Sequence, residues 1–276
     1  MAKKRSCRRT SEEDMIHDKA VKMRKMTDEQ LVNYVVDKVE EARNEGYEQG
    51  IKEAKPMEDA EKKIIKIIES MSGKYTPYTI FTDWVKMNAI SIQNACDIFR
   101  GSIWEKREQQ YLDIARKYNS DEIKKFCEMC GLLSMAFEEN GINDYLGDIY
   151  MRSGAGSKYT GQFFTPFNIS VLTSRISLEN ITDEQKIEIN EPSVGGGGMI
   201  LAAAKVLYEK GINYQRCLDV IAQDLDWNGV YMAYIQFSLI GIKAIVVQGD
   251  TLTQPYVSTY PEERILKTPK WMGAII

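Results

Sequence analysis

Histidine is nearly absent from this chain, with His17 as its single representative among 276 residues. Zinc sites of several histidines therefore cannot be assembled from it. Cysteine is also scarce. The chain has five cysteines, an odd number, and they are scattered along the sequence, as is typical of reduced thiols in a cytosol. We expect no metal site and no disulfide framework.

Two of the cysteines, Cys127 and Cys130, have the spacing of a redox or zinc pair. They lie in a stretch that is predicted to be helical, and no second pair with this spacing exists elsewhere in the sequence. We therefore interpret both as small apolar groups that pack within a helical region.

Long apolar runs are missing as well, so no segment reaches the length of a membrane-spanning helix. The first nine residues are basic, but no apolar core follows them, which argues against a secretory signal. Internal repeats and low-complexity tracts are also missing. From these absences we predict a cytoplasmic protein that does not contact a membrane.

An excess of positive charge is lacking too, because 36 Lys and Arg face 40 Asp and Glu, for a net charge of −4. This balance is not typical of a dedicated DNA-binding module. The basic cluster within residues 3–9 is interpreted as a solvated tail, with phosphate contact as the alternative. Any recognition of DNA is therefore expected to come mostly from a partner.

The first half of the chain contains helical periodicity. Residues 28–53 place apolar side chains at near-heptad spacing among charges, which predicts an exposed amphipathic helix. Further helices are predicted at residues 58–71, 78–100, 103–118 and 120–140. Ser120 is expected to cap the last of them. The aromatic residues of this half are expected to form a bundle core: Phe81, Trp84, Phe99, Trp104 and Tyr111.

Four consecutive glycines, Gly195–Gly198, lie between an apolar segment and a run of helix formers. This order predicts a strand at residues 187–191, a tight loop and a helix N-terminus, where backbone N–H groups can approach a ligand closely. Glu191, at the end of the strand, suits a cation or a hydroxyl better than a phosphate. The loop therefore favours a nucleoside with a positive group, such as S-adenosylmethionine, while a flexible turn in any α/β protein is the alternative.

Acidic residues also follow two further predicted strands. The strand at residues 217–223 leads into Asp224 and Asp226, and the strand at residues 243–248 leads into Asp250. Because parallel strands bring their carboxyl ends to one edge of a sheet, these acids are expected to converge with the glycine loop. We assign Asp224 to ribose hydroxyls and Asp226 to the cap of the following helix.

Four elements of this half resemble the adenine-specific N6 DNA methyltransferases. They are Gly161–Pro166 (GQFFTP), Glu191–Gly198 (EPSVGGGG), Gln223-Asp224 and Gly249–Leu252 (GDTL), in the order and spacing of that family. The likeness covers residues 144–252 and is closest to modification subunits of type I restriction systems and to related phage or mobile-element methylases. It implies a Rossmann-like domain that binds S-adenosylmethionine.

The resemblance also implies which residues bind this cofactor. They are Phe163, Phe164, Thr165, Pro166, Glu191, Pro192, Gly195, Gly196, Gly197, Asp224, Leu225 and Asp250. The GQFFTP residues would line the methionine end, and the acid and glycines of the loop would hold the amino-acid part. Asp224 would bind ribose, Leu225 would pack on the adenine face, and Asp250 would accept from the adenine amino group. The residues after Thr165 are expected to start a helix that Thr165 caps and that has Pro166 in its first turn.

The family's catalytic sequence, Asn-Pro-Pro followed by Phe or Tyr, is not found in the 276 residues. In the family it holds the target amino group and stacks on the flipped base, so we assign no catalytic residue. Residues 270–276 are interpreted as a fourth strand, at which the methyltransferase domain would be incomplete. We expect a protein partner to supply the catalytic loop, and DNA to be reached through a partner or a specificity subunit.

The predicted architecture is an α/β fold, in which a Rossmann-like methyltransferase domain with an incomplete sheet of three or four parallel strands follows an all-α domain. We divide the chain into a charged helical region (1–56), a helical domain (57–153) and a cofactor-binding domain (154–276) truncated after strand 4. The predicted function is S-adenosylmethionine-dependent N6-adenine DNA methylation in a restriction–modification or phage setting. A non-catalytic binding or assembly subunit is the first alternative. An NAD-type oxidoreductase is the second, disfavoured because the loop lacks GxGxxG spacing.

Overall fold

The computed structural model describes residues 60–154, 164–182 and 185–273 of the chain. In the first of these ranges every regular element is a helix. The helices are α1 (Ala60–Met71), α2 (Pro77–Cys96), α3 (Ser102–Ala115), α4 (Ser120–Asn140) and α5 (Tyr145–Arg152). The four helices predicted between residues 58 and 140 are confirmed apart from their ends. The amphipathic helix predicted at residues 28–53 and the basic cluster lie outside the described residues.

Strands and helices alternate in the second half of the described chain. The elements are α6 (Phe167–Ser177), β1 (Ile187–Glu191), α7 (Gly198–Glu209), α8 (Tyr214–Cys217), β2 (Leu218–Asp224), α9 (Trp227–Leu239), β3 (Lys243–Gln248) and β4 (Ile265–Lys267). A short 3₁₀ turn, Glu262–Arg264, precedes β4. The three predicted strands, at residues 187–191, 217–223 and 243–248, agree with β1, β2 and β3 to within a residue.

The four strands form one sheet in the order β1-β2-β3-β4. The first three are parallel, and Val220 in β2 lies opposite both Ile189 in β1 and Ala244 in β3. Strand β3 is buried from Ala244 to Val247, as expected for a continuous apolar strand of a parallel sheet. Helix α9 packs against it, and Ile245 and Val247 of β3 pack with Tyr260 and Ile265. The predicted α/β fold with a parallel, Rossmann-like sheet is confirmed.

The fourth strand differs from the predicted one in place and direction. Strand β4 runs antiparallel to β3, with Leu266 opposite Val246, and residues 270–273 form turns instead of a strand. Thr268 extends the pairing, because its N–H donates to Ala244 O over 3.0 Å and its hydroxyl donates to Ile242 O over 2.7 Å. Pro269 has no N–H with which to continue it. The last three predicted strand residues, 274–276, lie outside the described residues.

The helices of the first half and the sheet share one hydrophobic core. Helix α9 packs against β2, β3 and α2. In α2 the amide oxygen of Gln93 accepts a hydrogen bond from Lys267 N in β4 over 2.9 Å. Residues 58–276 accordingly form one compact unit by their contacts. The domain boundaries at residues 56 and 153 remain predictions.

Several local predictions for the helices were wrong. Phe81 and Trp84 are buried as expected, but Phe99 is 89% exposed in the loop after α2, and Trp104 and Tyr111 are only half-buried. Aromatic character alone cannot distinguish a buried helix face from an exposed loop.

The cap of α4 and one of the two paired cysteines also differ from expectation. Asn119, not Ser120, caps the helix, because its side chain accepts from Asp121 N and Glu122 N and Glu122 bonds back to Asn119 N. Cys127 is exposed, whereas Cys130 is half-buried and its thiol donates to Asn88 Oδ1 over 2.8 Å.

The described residues include neither a helix suited to a bilayer nor a cluster of side chains suited to a metal ion. Among residues 60–154, 164–182 and 185–273, none of the helices combines the length and the apolarity that a bilayer span requires. In the same ranges, no group of His, Cys, Asp and Glu side chains is arranged to hold a metal ion.

Candidate functional site

A cavity of about 320 Å³ lies at the carboxyl edge of the parallel strands. The glycine loop after β1 forms one wall, Phe164 and Thr165 before α6 form another, and the start of α5 closes the bottom. Among the described residues that line it, two are acids, Asp144 and Asp224, and none is Lys, Arg or His. The cavity is therefore negatively charged at neutral pH wherever both acids are ionised, and it favours a ligand with positive charge.

The loop over this cavity depends on glycine at two positions. Gly195 and Gly197 have φ angles of 51° and 101°, in the left-handed region that side chains with a Cβ rarely adopt. A Cβ at Gly197 would also lie 2.7 Å from Cε1 of Phe237, and one at Gly195 would lie 3.0 Å from the Phe164 ring. These glycines let the chain turn from β1 directly into the N-terminus of α7, with its free N–H groups at the cavity.

Asp224 both faces the cavity and holds the loop in place. Its Oδ2 accepts a hydrogen bond from Gly195 N over 2.7 Å, and its Oδ1 accepts one from Asp226 N over 2.9 Å. Each carboxylate oxygen has two lone pairs, so capacity remains for a ligand. Asp226 caps α9, since its Oδ1 accepts from Asn228 N over 3.1 Å. The predicted role of Asp226 is confirmed.

Sequence reasoning missed a buried polar network beneath the loop. Gln236 in α9 is fully buried, and its Oε1 accepts a hydrogen bond from Leu146 N over 3.1 Å. Its Nε2 donates to Gly196 O and to Asp144 Oδ1, each over 2.8 Å. This one amide therefore connects α9, the start of α5 and the glycine loop.

Asp144 is the acid at the bottom of the cavity. It caps α5 through a hydrogen bond from Gly147 N to its Oδ1 over 3.0 Å, and its side chain is only 5% exposed. Burial raises the pKa of Asp144 above its ordinary value, and the hydrogen bonds from Gln236 and Gly147 offset this only in part. A signal existed in the sequence, because Asp before an apolar run is typical of a helix cap.

Ser170 is a second residue that sequence reasoning missed. It lies in the first turn of α6, has no exposed surface and lines the cavity. Its hydroxyl has no hydrogen-bond partner among the described residues. A buried hydroxyl without a partner is costly, so this group calls for a ligand or water.

The residues of the GQFFTP element lie in different places. Phe164 is half-buried, lines the cavity and packs on Tyr150 with ring centroids 5.6 Å apart, and the exposed Thr165 lies beside it. Pro166 lines a neighbouring groove instead. Pro166 occupies the cap position of α6 without a side-chain bond, so the predicted cap by Thr165 was wrong, although the helix itself begins where expected. Phe163 lies outside the described residues.

The remaining predicted residues lie at the same edge of the sheet but do not line this cavity. Glu191 accepts from Ser193 N over 3.1 Å, and Pro192 O accepts from the Thr251 hydroxyl over 2.6 Å. Leu225 is 69% exposed.

Asp250, after β3, is held by its own turn. Its Oδ2 accepts from the Thr253 hydroxyl and its Oδ1 from Leu252 N, each over 2.9 Å, and these bonds lower the pKa of Asp250. The structure thus brings five of the predicted cofactor-binding residues together around one cavity: Phe164, Thr165, Gly195, Gly196 and Asp224.

Residues 142–274, which include the cavity and the whole sheet, match the family model described as N-6 DNA Methylase. These residues, just under half of the chain, carry its likeness to the N-6 DNA methylase family. The predicted resemblance is therefore confirmed for the half of the chain that carries the glycine loop and the strand-end acids.

Two solved structures are similar to this chain. One is the type I restriction-modification system methyltransferase subunit from Streptococcus thermophilus, at 19% identity and a TM-score of 0.38, covering 70% of this chain and 44% of that one. The other is described as a class I S-adenosylmethionine-dependent methyltransferase from Listeria monocytogenes, at 14% identity and a TM-score of 0.38, covering 61% of this chain and 54% of that one. The chain spans about half the length of either.

Proposed function

We propose that this chain binds S-adenosylmethionine in the cavity over the glycine loop and that it takes part in N6-adenine methylation of DNA. The observation that carries the proposal is the charge of the cavity, where the lining residues within the described ranges include two carboxylates and no basic side chain. S-adenosylmethionine carries two positive groups, a sulfonium and an ammonium, and only one negative group, a carboxylate. A net cationic nucleoside therefore matches the cavity.

The same charge argues against a dinucleotide. The pyrophosphate of NAD binds at a glycine-rich helix N-terminus, and here it would meet the carboxylates of Asp144 and Asp224. The negative charges of the pyrophosphate and of the carboxylates repel each other, and the low dielectric of a partly buried site strengthens this repulsion. The oxidoreductase alternative is disfavoured on this ground.

The volume of the cavity indicates which parts of the ligand lie inside it and which lie along its rim. A cavity of about 320 Å³ lies at the small end of ligand sites, so we place the amino-acid end and the ribose inside it. Asp224 accepts from the ribose hydroxyls, and the Phe164 ring offers its face to the sulfonium. The adenine lies along the open rim, where Leu225 is exposed and Asp250 is available as an acceptor.

S-adenosylmethionine supplies a methyl group that is already activated by the positive sulfur. The described residues contribute binding and orientation: the loop fixes the amino-acid end, Asp224 fixes the ribose, and the aromatic wall excludes water. In-line placement of an acceptor amine supplies much of the acceleration in such a transfer. A proton-abstracting histidine is not required, in agreement with the composition.

The adenine-specific step needs residues that these 276 positions do not contain, because no Asn-Pro-Pro-aromatic sequence occurs among them. We propose that a protein partner supplies this loop. We further propose that a partner or specificity subunit brings the DNA, in a cytoplasmic restriction–modification or phage system. The net charge of −4 supports this division, since phosphate contacts need an excess of basic residues.

Calorimetry on the purified chain tests the proposal. S-adenosylmethionine and S-adenosylhomocysteine should each bind with a stoichiometry of one, and NAD should produce no heat of binding. Absence of binding by both adenosyl ligands, or tighter binding of NAD, would overturn the assignment.

A further inference from the structure

Asp144 has one carboxylate oxygen to which none of the described residues donates a hydrogen bond. Its Oδ1 accepts from both Gly147 N and Gln236 Nε2, whereas no described group donates to its Oδ2. The carboxylate is 5% exposed, and it lines the cavity. A cap needs only the first oxygen, so the structural role of Asp144 leaves the second unexplained.

Ser170 points to the same place from another helix. A Cβ at Gly198, the first residue of α7, would lie 3.0 Å from Asp144 Oδ2 and 3.8 Å from Ser170 Oγ. The unused oxygen and the unpartnered hydroxyl therefore converge on the N-terminus of α7. They come from α6 and from the cap of α5, so neither results from the local geometry of the loop.

The N-terminus of α7 adds donors to these two groups. The N–H groups of its first turn have no acceptor within the helix, and the helix dipole favours an anion there. The arrangement thus combines one anionic acceptor with several donors within a small space. A zwitterion with an ammonium next to a carboxylate has the complementary pattern.

We infer that Asp144 and Ser170 form the subsite for the α-amino-acid group of the ligand. Asp144 Oδ2 accepts from the ammonium, and the Ser170 hydroxyl donates to the carboxylate together with the N–H groups of α7. The inference rests on the proposed function, since it takes the ligand to be S-adenosylmethionine. It gives the amino-acid group to these residues in preference to Glu191, which does not line the cavity and accepts from Ser193 N.

The binding of two nucleosides can be compared to distinguish this subsite from the rest of the site. S-adenosylhomocysteine carries the amino-acid group, and 5′-methylthioadenosine has the same adenosine and thioether without it. Asp144→Asn keeps an oxygen for Gly147 N and Gln236 Nε2 but removes the charge. It should weaken S-adenosylhomocysteine roughly tenfold or more, as expected for a lost charge-assisted bond, and change 5′-methylthioadenosine by less than about twofold.

Ser170→Ala should weaken S-adenosylhomocysteine by roughly three- to tenfold and leave 5′-methylthioadenosine unaffected. The matched control is Ser174→Ala, one turn later on the same helix, where the serine is buried but does not line the cavity. It should bind both nucleosides as the wild type does. Circular dichroism and a melting curve on each variant verify the fold.

The outcomes are distinguishable. If wild-type chain binds neither nucleoside nor S-adenosylmethionine, the proposed function itself fails. If wild-type chain binds S-adenosylhomocysteine but Asp144→Asn binds it equally well, or loses both nucleosides to the same degree, the cofactor assignment stands and the subsite is overturned. Equal losses in Ser170→Ala and Ser174→Ala would likewise remove Ser170 from it.

Discussion

Asp224 performs two tasks that a single substitution removes together. Asp224→Ala takes away the acceptor of Gly195 N as well as the proposed acceptor of the ribose hydroxyls. We expect the affinity for S-adenosylmethionine to fall by about 2–3 kcal/mol, the scale of charge-assisted hydrogen bonds. Calorimetry measures the change. Asp219→Ala is the control, because Asp219 lies at the other end of β2 and pairs with Lys243; a loss of the same size there would argue against a specific role.

The ionisation of Asp144 should contribute to the pH dependence of the protein's stability. Its pKa is raised in the folded protein above the ordinary 3.8, so the folded state binds this proton more tightly than the unfolded state does. The ionised group therefore costs stability at neutral pH, and the cost disappears as the pH falls through the raised pKa and then through 3.8. We expect Asp144→Asn to melt no lower than wild type at pH 7, and the difference to vanish in acid.

Melting curves of both proteins across this pH range check the expectation. Saturating S-adenosylhomocysteine should reverse the order at pH 7, because only the wild-type carboxylate gains a cationic partner. A variant that melts several degrees below wild type at every pH would show that Asp144 acts as a structural charge and not as a costly buried one.

The sequence predicts individual site residues where the signal is local. Asp226 was predicted as a cap because it directly precedes a helical run, and Asp224 because it ends a strand. Asp144 and Gln236 are 92 positions apart and meet only through the packing of α5 and α9. No local pattern encodes that meeting, although a single Gln within the buried stretch 229–238 of α9 was a usable sign of an internal polar contact.

At the scale of elements, Gln236 holds three pieces of the fold together. Gln236→Met has similar length, but it leaves Leu146 N, Gly196 O and one oxygen of Asp144 without a partner they now have. Each buried group left unsatisfied costs about 1–3 kcal/mol, so we expect a total loss of roughly 3 kcal/mol or more in the free energy of unfolding. Denaturant titration followed by circular dichroism measures it.

Ser238→Ala is the comparison for this substitution. It lies two residues further along α9 and removes one bond within the helix, from the Ser238 hydroxyl to Tyr234 O. Its cost should be near 1 kcal/mol, typical of one hydrogen bond. Equal effects of the two variants would mean that Gln236 contributes only as one more buried side chain and does not connect α5 to the glycine loop.

Helices and strands were predictable where a local run of apolar residues marks the segment that becomes buried. The segments that form β2 and β3 are largely apolar and are followed by turn residues, and α9 packs against both strands, so pattern and structure agree. The position of β4 was not predictable in this way. Residues 265–267 and 271–276 are both short and apolar, and pairing with β3 is decided by Thr268, which bonds Ala244 and Ile242. The choice between the two segments therefore depends on tertiary contacts and not on the local sequence.

At the scale of the whole molecule, the sheet leaves one edge available. Strand β1 ends the sheet and pairs only with β2 among the described strands. Such an edge presents unpaired backbone groups and accepts a further strand readily. Additional strands, from whatever source, have a place to join next to the glycine loop, which is where a catalytic loop would have to lie.

The purified 276-residue chain is therefore expected to bind S-adenosylmethionine and yet to methylate DNA negligibly. The proposed cofactor site consists of described residues, whereas the Asn-Pro-Pro-aromatic sequence that would hold and stack the target base does not occur in the sequence. Base stacking alone is worth about 1–3 kcal/mol, and the lost in-line positioning of the amine is worth more. Transfer of tritiated methyl groups to mixed-sequence DNA measures the activity.

Cofactor binding is measured on the same preparation, so that an inactive sample cannot be mistaken for a misfolded one. A complete adenine methyltransferase serves as the positive control for the DNA and the label. Robust incorporation into adenine by this chain alone would show that its own residues can position the amine, and the partner-supplied loop would then be wrong. Incorporation that appears only when a partner subunit is added would place the target-holding residues on that partner and leave cofactor binding to the cavity beside Asp224.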